Sequence, residues 1–381
     1  MNVLLLGGTG PMGIHLSELL STQNDVFVTS RKPHKNKGNI SFIQGNAKMK
    51  DFLSSVLSMR TWDCIVDFMA YTTCEFEERV ELLLNSTKQY IFLSSARVYD
   101  NNNETITEDS SRLLDTSTDT AYLKTDEYAL YKAREENILL NSTNKNYTII
   151  RPYITYAENR FPMGVWEKET WLRRCLQKKD IVFPKTFLDK VTTLTYGRDV
   201  AKYISIIIGN QGTVGQIYNI VSNKSSCWSE ILSYYLSHIE SITGYRPKVT
   251  LVDSYVACLQ DMLKLWFSDI VSLGLAHSAR KIRNKKYQLI YDREFNRKFD
   301  NKKLEKLDTN LNFISYEDIL GDCLVTFTKD PSYQYRNWQW EAVQDRLTGQ
   351  KTSLSEIGSL KDKIRYLLIR YLIPRKYMFK S

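Results

Sequence analysis

Six cysteines are scattered along 381 residues, at positions 64, 74, 175, 227, 258 and 323, with no CxxC pair, and there are only four histidines. Such spacing offers neither a disulfide framework nor a zinc site, and it fits a reduced, cytoplasmic setting. No apolar run approaches the roughly 18 residues that a membrane span needs. Met1-Asn2 carries no basic region, and the apolar stretch Val3 to Leu6 is too short for a secretion signal. Internal repeats and long low-complexity stretches are also missing; Asn101-Asn102-Asn103 reads as a loop. Glycine is scarce, at 16 residues, so a cluster of it near the start carries information.

Positive charge is unevenly placed. Residues 1–270 hold 30 Lys+Arg against 30 Asp+Glu, while residues 271–381 hold 22 against 13, so the whole excess of +9 lies in the last 111 residues. Charge of this kind speaks to partners and not to fold.

The first 150 residues alternate between two hydrophobic rhythms. Short runs at Val3–Leu6, Val26–Thr29, Ile40–Ile43, Cys64–Phe68, Tyr90–Leu93 and Tyr147–Ile150 read as buried strands. Met12–Leu20, Asp51–Leu57, Glu75–Leu84 and Tyr122–Leu140 read as helices between them. This alternation predicts an α/β fold, a Rossmann-type doubly wound parallel sheet, followed by a smaller, mixed substrate lobe. The expected division is a dinucleotide-binding domain over 1–155, with 190–222 returning to it. Residues 156–189 and 223–330 form the substrate-binding lobe, and 331–381 a basic extension. Within the later part, 192–194 and 217–221 look like strands, and 228–241, 253–274 and 315–321 like helices.

The opening strand runs straight into GGTGPMG and then an apolar helix. In that context Gly7 permits a tight turn, Gly10 lets the backbone approach a pyrophosphate, and Gly13 lets the helix sit close to the sheet. The helix N-terminus adds free N–H groups and partial positive charge. A glycine turn kept for packing alone is the competing reading. About 20 residues further on, where an acidic residue would accept the ribose hydroxyls of NAD, stand Ser30, Arg31 and Lys32. A hydroxyl and a guanidinium suit a 2′-phosphate, so NADP is the expected cofactor and NAD the alternative.

Downstream, the strand Tyr90–Leu93 leads into SSARVYD, and YALYK follows some 30 residues later. Tyr128 and Lys132 are four apart and share a helix face. A phenol with an ordinary pKa of about 10 is a poor base near neutrality, and a nearby ammonium favours its ionised form.

Taken in order with IIRPYITY, TTLTYGRDVAKYI and QIYNIVS, these segments resemble the short-chain dehydrogenase/reductase superfamily, specifically its extended branch of sugar-nucleotide epimerases, dehydratases and reductases. The resemblance covers roughly residues 1–330. It implies that Ser95 holds the substrate oxygen and Tyr128 is the acid/base, with Lys132 tuning Tyr128 and holding the nicotinamide ribose. It also implies cofactor contacts from Gly7, Thr9, Gly10, Pro11, Met12 and Gly13, and from Ser30, Arg31 and Lys32. Further contacts are implied from Asn46, Ala47, Phe68, Met69 and Ala70, and from Tyr153 beside the nicotinamide. Asn46 stands where relatives carry Asp, and Met69-Ala70 where they often carry small pairs.

Relatives that dehydrate carry an Asp-Glu pair after the active-site hydroxyl, whereas Ala96-Arg97 follow Ser95. The expected reaction is therefore NADPH-dependent reduction of a keto-sugar, with 4-epimerisation as the alternative. A nucleotide-linked sugar is the implied substrate. Ser95, Arg97, Arg160 and Trp166 are candidates to hold it, and Lys168, Arg173 and Arg174 could grip its diphosphate unless they form a solvated basic face. Some atypical relatives bind RNA, but the intact Ser95–Tyr128–Lys132 set argues for catalysis, and nucleic acid is not an expected partner. No metal is called for. A homodimer through the Tyr128 helix is common among relatives. Finally, LKDKIRYLLIRYLIPRKYMFKS aligns Ile364, Leu367, Leu368, Tyr371 and Leu372 on one helical face, with seven basic residues and one Asp between 361 and 380. Such a segment suits weak membrane contact through residues 360–381, or packing on the protein's own core or a dimer partner.

Overall fold

The computed structural model describes residues 1–101, 104–253 and 285–372. The chain divides into two compact units. The first comprises Met1–Ala157, Thr193–Ser225 and Arg297–Asp318, the second Glu158–Thr192, Ser226–Asn296 and Ile319–Ser381.

Unit one is built on a seven-stranded sheet. Its strands are β1 (Asn2–Leu6), β2 (Asp25–Ser30), β3 (Ile40–Gln44), β4 (Trp62–Asp67), β5 (Thr87–Leu93), β6 (Tyr147–Pro152) and β7 (Ile217–Ile220). They lie in the order β7-β6-β5-β4-β1-β2-β3, every neighbouring pair parallel. Sequence order reverses between β1 and β4, and ligands of doubly wound sheets bind beyond the strand ends at such a switch. Both faces are covered, which is why β1 is a continuous apolar run without alternation. Leu5, Val28, Val66, Ile91 and Ile150 meet helices α1 (Gly13–Leu20) and α3 (Gly197–Ile207) on one side. Leu4, Leu6, Ile65, Tyr90 and Phe92 face Leu53, Phe76, Leu83 and Leu139 on the other, the last of these on helix α2 (Tyr128–Asn141).

All six early strands anticipated from the sequence are present. The stretch expected to be helical over 122–140 instead breaks at Glu127. A short turn (Thr120–Leu123) precedes it, and the Glu127 carboxylate caps α2 by accepting from Ala129 N.

Unit two pairs Ile181–Pro184 with Val249–Val252 in parallel and Val191–Thr192 with Ser226–Cys227 antiparallel. Its helices include α4 (Trp228–Thr243), α5 (Trp338–Thr348) and α6 (Leu360–Leu367). Two boundaries differ from expectation. Residues 297–318 belong with the sheet unit, because Leu304 and Phe313 fill its core. The described part of the basic extension, 331–372, is no separate appendage, since α5 packs on the Ile181–Pro184 strand and α6 on α5. Most of the helix expected over 253–274 lies outside the described residues.

Candidate active site

The glycine loop leaves β1 through Gly7, whose φ of +70° is a left-handed conformation that glycine adopts freely. Gly7 N donates to the Thr29 hydroxyl at 2.9 Å, fixing the loop to β2. A Cβ on Gly13 would stand 2.5 Å from Gly8 O, so only glycine lets α1 start this close to the loop backbone. A Cβ on Gly10, in contrast, would meet nothing within 4 Å. Met12 caps α1 without a side-chain hydrogen bond, Ile14 N donates to Gly10 O at 3.1 Å, and the positive end of the helix dipole at this loop suits an anion. These features fit a dinucleotide pyrophosphate.

Around the loop, Met69 Sδ lies against Gly7, and Phe68 N donates to Leu6 O at 3.0 Å. At the end of β2, Ser30 Oγ accepts from Lys32 N at 3.2 Å, while Arg31 and Lys32 are exposed. Asn46 is exposed and its Oδ1 accepts from Lys48 N, so it closes a local turn beside buried Ala47. Tyr153 is buried, its ring 5.1 Å from that of Phe299.

Ser95 follows β5 and caps the 3₁₀ turn Ala96–Val98, its Oγ accepting from Arg97 N at 3.2 Å. The hydroxyl proton is thus left to be donated elsewhere. The turn packs against α2, which opens with Tyr128. Arg97 bridges the two elements: its guanidinium lies 5.2 Å from the centre of the Tyr128 ring and pairs with Glu127 at 2.8 Å. Glu127 is spent on this pair, on Ala129 N and on the Tyr122 hydroxyl. Tyr128 also meets Tyr131 edge-on at 5.3 Å.

Lys132 points into the fold. Its ammonium is buried, 3.0 Å from the Glu135 carboxylate and 4.4 Å from the centre of the Phe92 ring. Burial pushes Glu135 up to about 7, while the Lys132 ammonium pulls it back. Nearby, Asp67 at the end of β4 accepts from Tyr90 OH and Met69 N, both at 2.8 Å. Burial raises the Asp67 carboxyl even so. One residue further along α2, Glu136 binds Arg151 of β6 at 2.7 Å and accepts from Ser94 Oγ at 2.5 Å. That brace ties the ends of β5 and β6 to the middle of α2.

Glu135 and Glu136 escaped the sequence reading, since KAREEN looks like a solvated helix face. The signal was available: two adjacent acids follow a lysine by three and four residues on a helix flanked by apolar positions.

In unit two the candidate substrate residues are committed internally. Arg160 pairs with Glu167 at 2.8 Å. Trp166, also proposed to hold the substrate, is buried and stacks on Trp340 at 4.6 Å. Lys168 donates to Ser332 O at 2.8 Å. Arg173 and Arg174 correct the expectation that they grip a diphosphate: both are buried and bind Glu341, with Arg174 also on Asp345 at 2.8 Å. Charges sunk this deep need internal partners, and these have them. Among the described residues no cluster of His, Cys, Asp and Glu could hold a metal ion.

Residues 3–221 match the profile of the NAD dependent epimerase/dehydratase family, and the chain belongs to that family. It is thereby a member of the extended short-chain dehydrogenase/reductase class, whose members work with a nicotinamide dinucleotide. No protein of curated function matches it. Among solved structures it resembles a dTDP-glucose 4,6-dehydratase from Bacillus anthracis in complex with NAD. The identity is 16%, 87% of this chain and 97% of that one are covered, and the TM-score is 0.61. A UDP-glucuronic acid 4-epimerase from Bacillus cereus in complex with NAD is similar at 15% identity, 87% and 99% coverage and a TM-score of 0.59. An epimerase from Methanothermobacter thermautotrophicus has 14% identity, 86% and 92% coverage and a TM-score of 0.63.

Proposed function

We propose that this protein is an oxidoreductase acting on a nucleotide-linked sugar, reducing a keto group with NADPH. The observation that carries the reading is the set of groups around Tyr128. Ser95 retains a proton to hold the substrate oxygen, and the Arg97 guanidinium over the phenol ring orients it at the start of α2. Tyr128 gives its proton to the oxygen that becomes a hydroxyl. The bound dinucleotide supplies the hydride. Lys132 turns from Glu135 to the ribose hydroxyls, and the brace through Glu136 keeps Tyr128 and Ser95 in place.

Dehydration is disfavoured because Ala96-Arg97 stand where carbon-proton exchange would need acids, and Glu127 is already committed to three partners. Exposed Arg31 and Lys32 at the end of β2 suit a 2′-phosphate. The NAD-bound epimerase among the similar structures favours 4-epimerisation as the second reading. A homodimer through α2 belongs to the same reading, with sedimentation equilibrium as its check.

The deciding experiment has two steps. Thermal stabilisation by NADPH is compared with that by NADH, for the native protein and Arg31→Ala; loss of an NADPH preference in the variant supports the 2′-phosphate assignment. Keto-sugar nucleotides are then screened for NADPH oxidation, with Tyr128→Phe as control. Conversion of a hydroxy sugar to its epimer without net cofactor use would make the protein an epimerase. Turnover that survives Tyr128→Phe would refute both readings.

A further inference from the structure

The C-terminal helix has three distinct sides. One packs inward, where Tyr366 and Ile369 are 2% and 3% exposed. The Tyr366 hydroxyl donates to Asp345 at 2.7 Å and accepts from Thr352 N at 2.9 Å, and Arg346 donates to Ile369 O. This side anchors α6 and its continuation Leu368–Leu372 on α5.

The opposite side is apolar and open. Leu360, Ile364, Leu367, Leu368 and Tyr371 are 72%, 50%, 37%, 38% and 54% exposed. Their spacing of four, three, one and three residues places them within an arc of about 100°. Other large exposed apolar residues among the described ones, such as Met49, Leu140 and Val325, are dispersed along the chain. An apolar stripe of this kind marks an interaction surface.

The third feature is charge. Lys361 and Lys363 fall on the two flanks of the stripe by helical geometry, whereas Arg365 pairs with Asp362 at 3.6 Å and Arg370 donates to Gln350 O at 2.7 Å. Two copies meeting along this face would bring like charges together, whereas an anionic lipid headgroup neutralises them. Because the inner side is pinned to α5, the helix lies flat and presents its stripe sideways, the posture of an interfacial helix.

We propose that the exposed face of residues 360–371 docks reversibly on an anionic lipid bilayer. The surface is independent of the reaction assigned above. Deleting the helix would strip Asp345 and Thr352 of their Tyr366 partner, so point variants are the proper test. The full chain is sedimented with vesicles of phosphatidylcholine alone and of phosphatidylcholine with about 30% phosphatidylglycerol. Expected is pelleting with the anionic vesicles only, falling about tenfold or more when salt rises from 0.1 to 0.5 M. Leu367→Glu/Leu368→Glu should abolish pelleting while melting temperature and cofactor stabilisation stay native. Should that double variant fail to fold, Leu368→Trp serves instead, its emission shifting blue only with anionic vesicles. Equal pelleting on neutral vesicles, unchanged pelleting of the folded double variant, an unshifted tryptophan, or a drop in oligomeric mass on mutation would each overturn the proposal.

Discussion

Lys132 and Glu135 stand one helical turn apart, and their ammonium and carboxylate meet at 3.0 Å where both side chains are buried. The residue expected to reach the cofactor ribose is therefore held by a counter-ion within its own helix. Asp67, Tyr71, Tyr90 and Asp126 act electrostatically on the same carboxylate. Burial raises Glu135 to about 7, so it holds Lys132 above that pH and lets it go below. NADH should bind about fivefold or more tightly at pH 6 than at pH 8, and Glu135→Gln should flatten that dependence. NADH is the ligand of choice because a 2′-phosphate titrates in the same range. Isothermal titration across pH 6–8 measures it; a flat native curve removes the latch.

Tyr128→Phe removes one oxygen that makes no hydrogen bond among the described residues, so stability and cofactor binding should stay native. Turnover should fall by roughly 10²- to 10⁴-fold, the range for a lost general acid. Steady-state kinetics beside thermal shift separates this from misfolding.

Gly197 opens α3, and a Cβ there would lie 2.4 Å from Pro11 O, against the backbone of the glycine loop. Gly197→Ala should cost about 1–3 kcal/mol by overpacking and weaken dinucleotide binding as the loop is displaced. Gly10→Ala should differ: its Cβ meets nothing, so urea unfolding should be unchanged while stabilisation by the dinucleotide is lost. Equal behaviour of the two variants would contradict the assigned roles.

Asp199 near the start of α3 is 4% exposed and accepts from Ile314 N at 2.7 Å. Burial pushes it up to about 6 from an ordinary 3.8, with that hydrogen bond opposing. A raised carboxyl stabilises the fold fully below pH ~4 and loses that contribution as pH climbs through ~6, on the order of 3 kcal/mol. Unfolding free energies of the native protein and Asp199→Asn should therefore diverge with rising pH in favour of Asn. A constant difference between pH 4.5 and 7.5 would count against the burial argument.

Local order was legible in the chain itself. Runs such as Val3–Leu6 and Tyr90–Leu93 announce buried strands because their apolar residues do not alternate, and GGTGPMG announces a turn because glycine alone tolerates its geometry. That Ser95 would follow a strand end and that Tyr128 and Lys132 would share one helix was legible too, through hydrophobic period and spacing. Partner choice was not. Whether a charge faces water or another charge depends on residues distant in sequence, as Arg174 with Asp345 shows across 171 positions. The same limit hid the Lys132–Glu135 pair, because a polar helix and a buried ionic one share a composition. Short-range sterics and hydrophobic period are written in neighbouring residues, but desolvation exists only once remote segments have closed around a group.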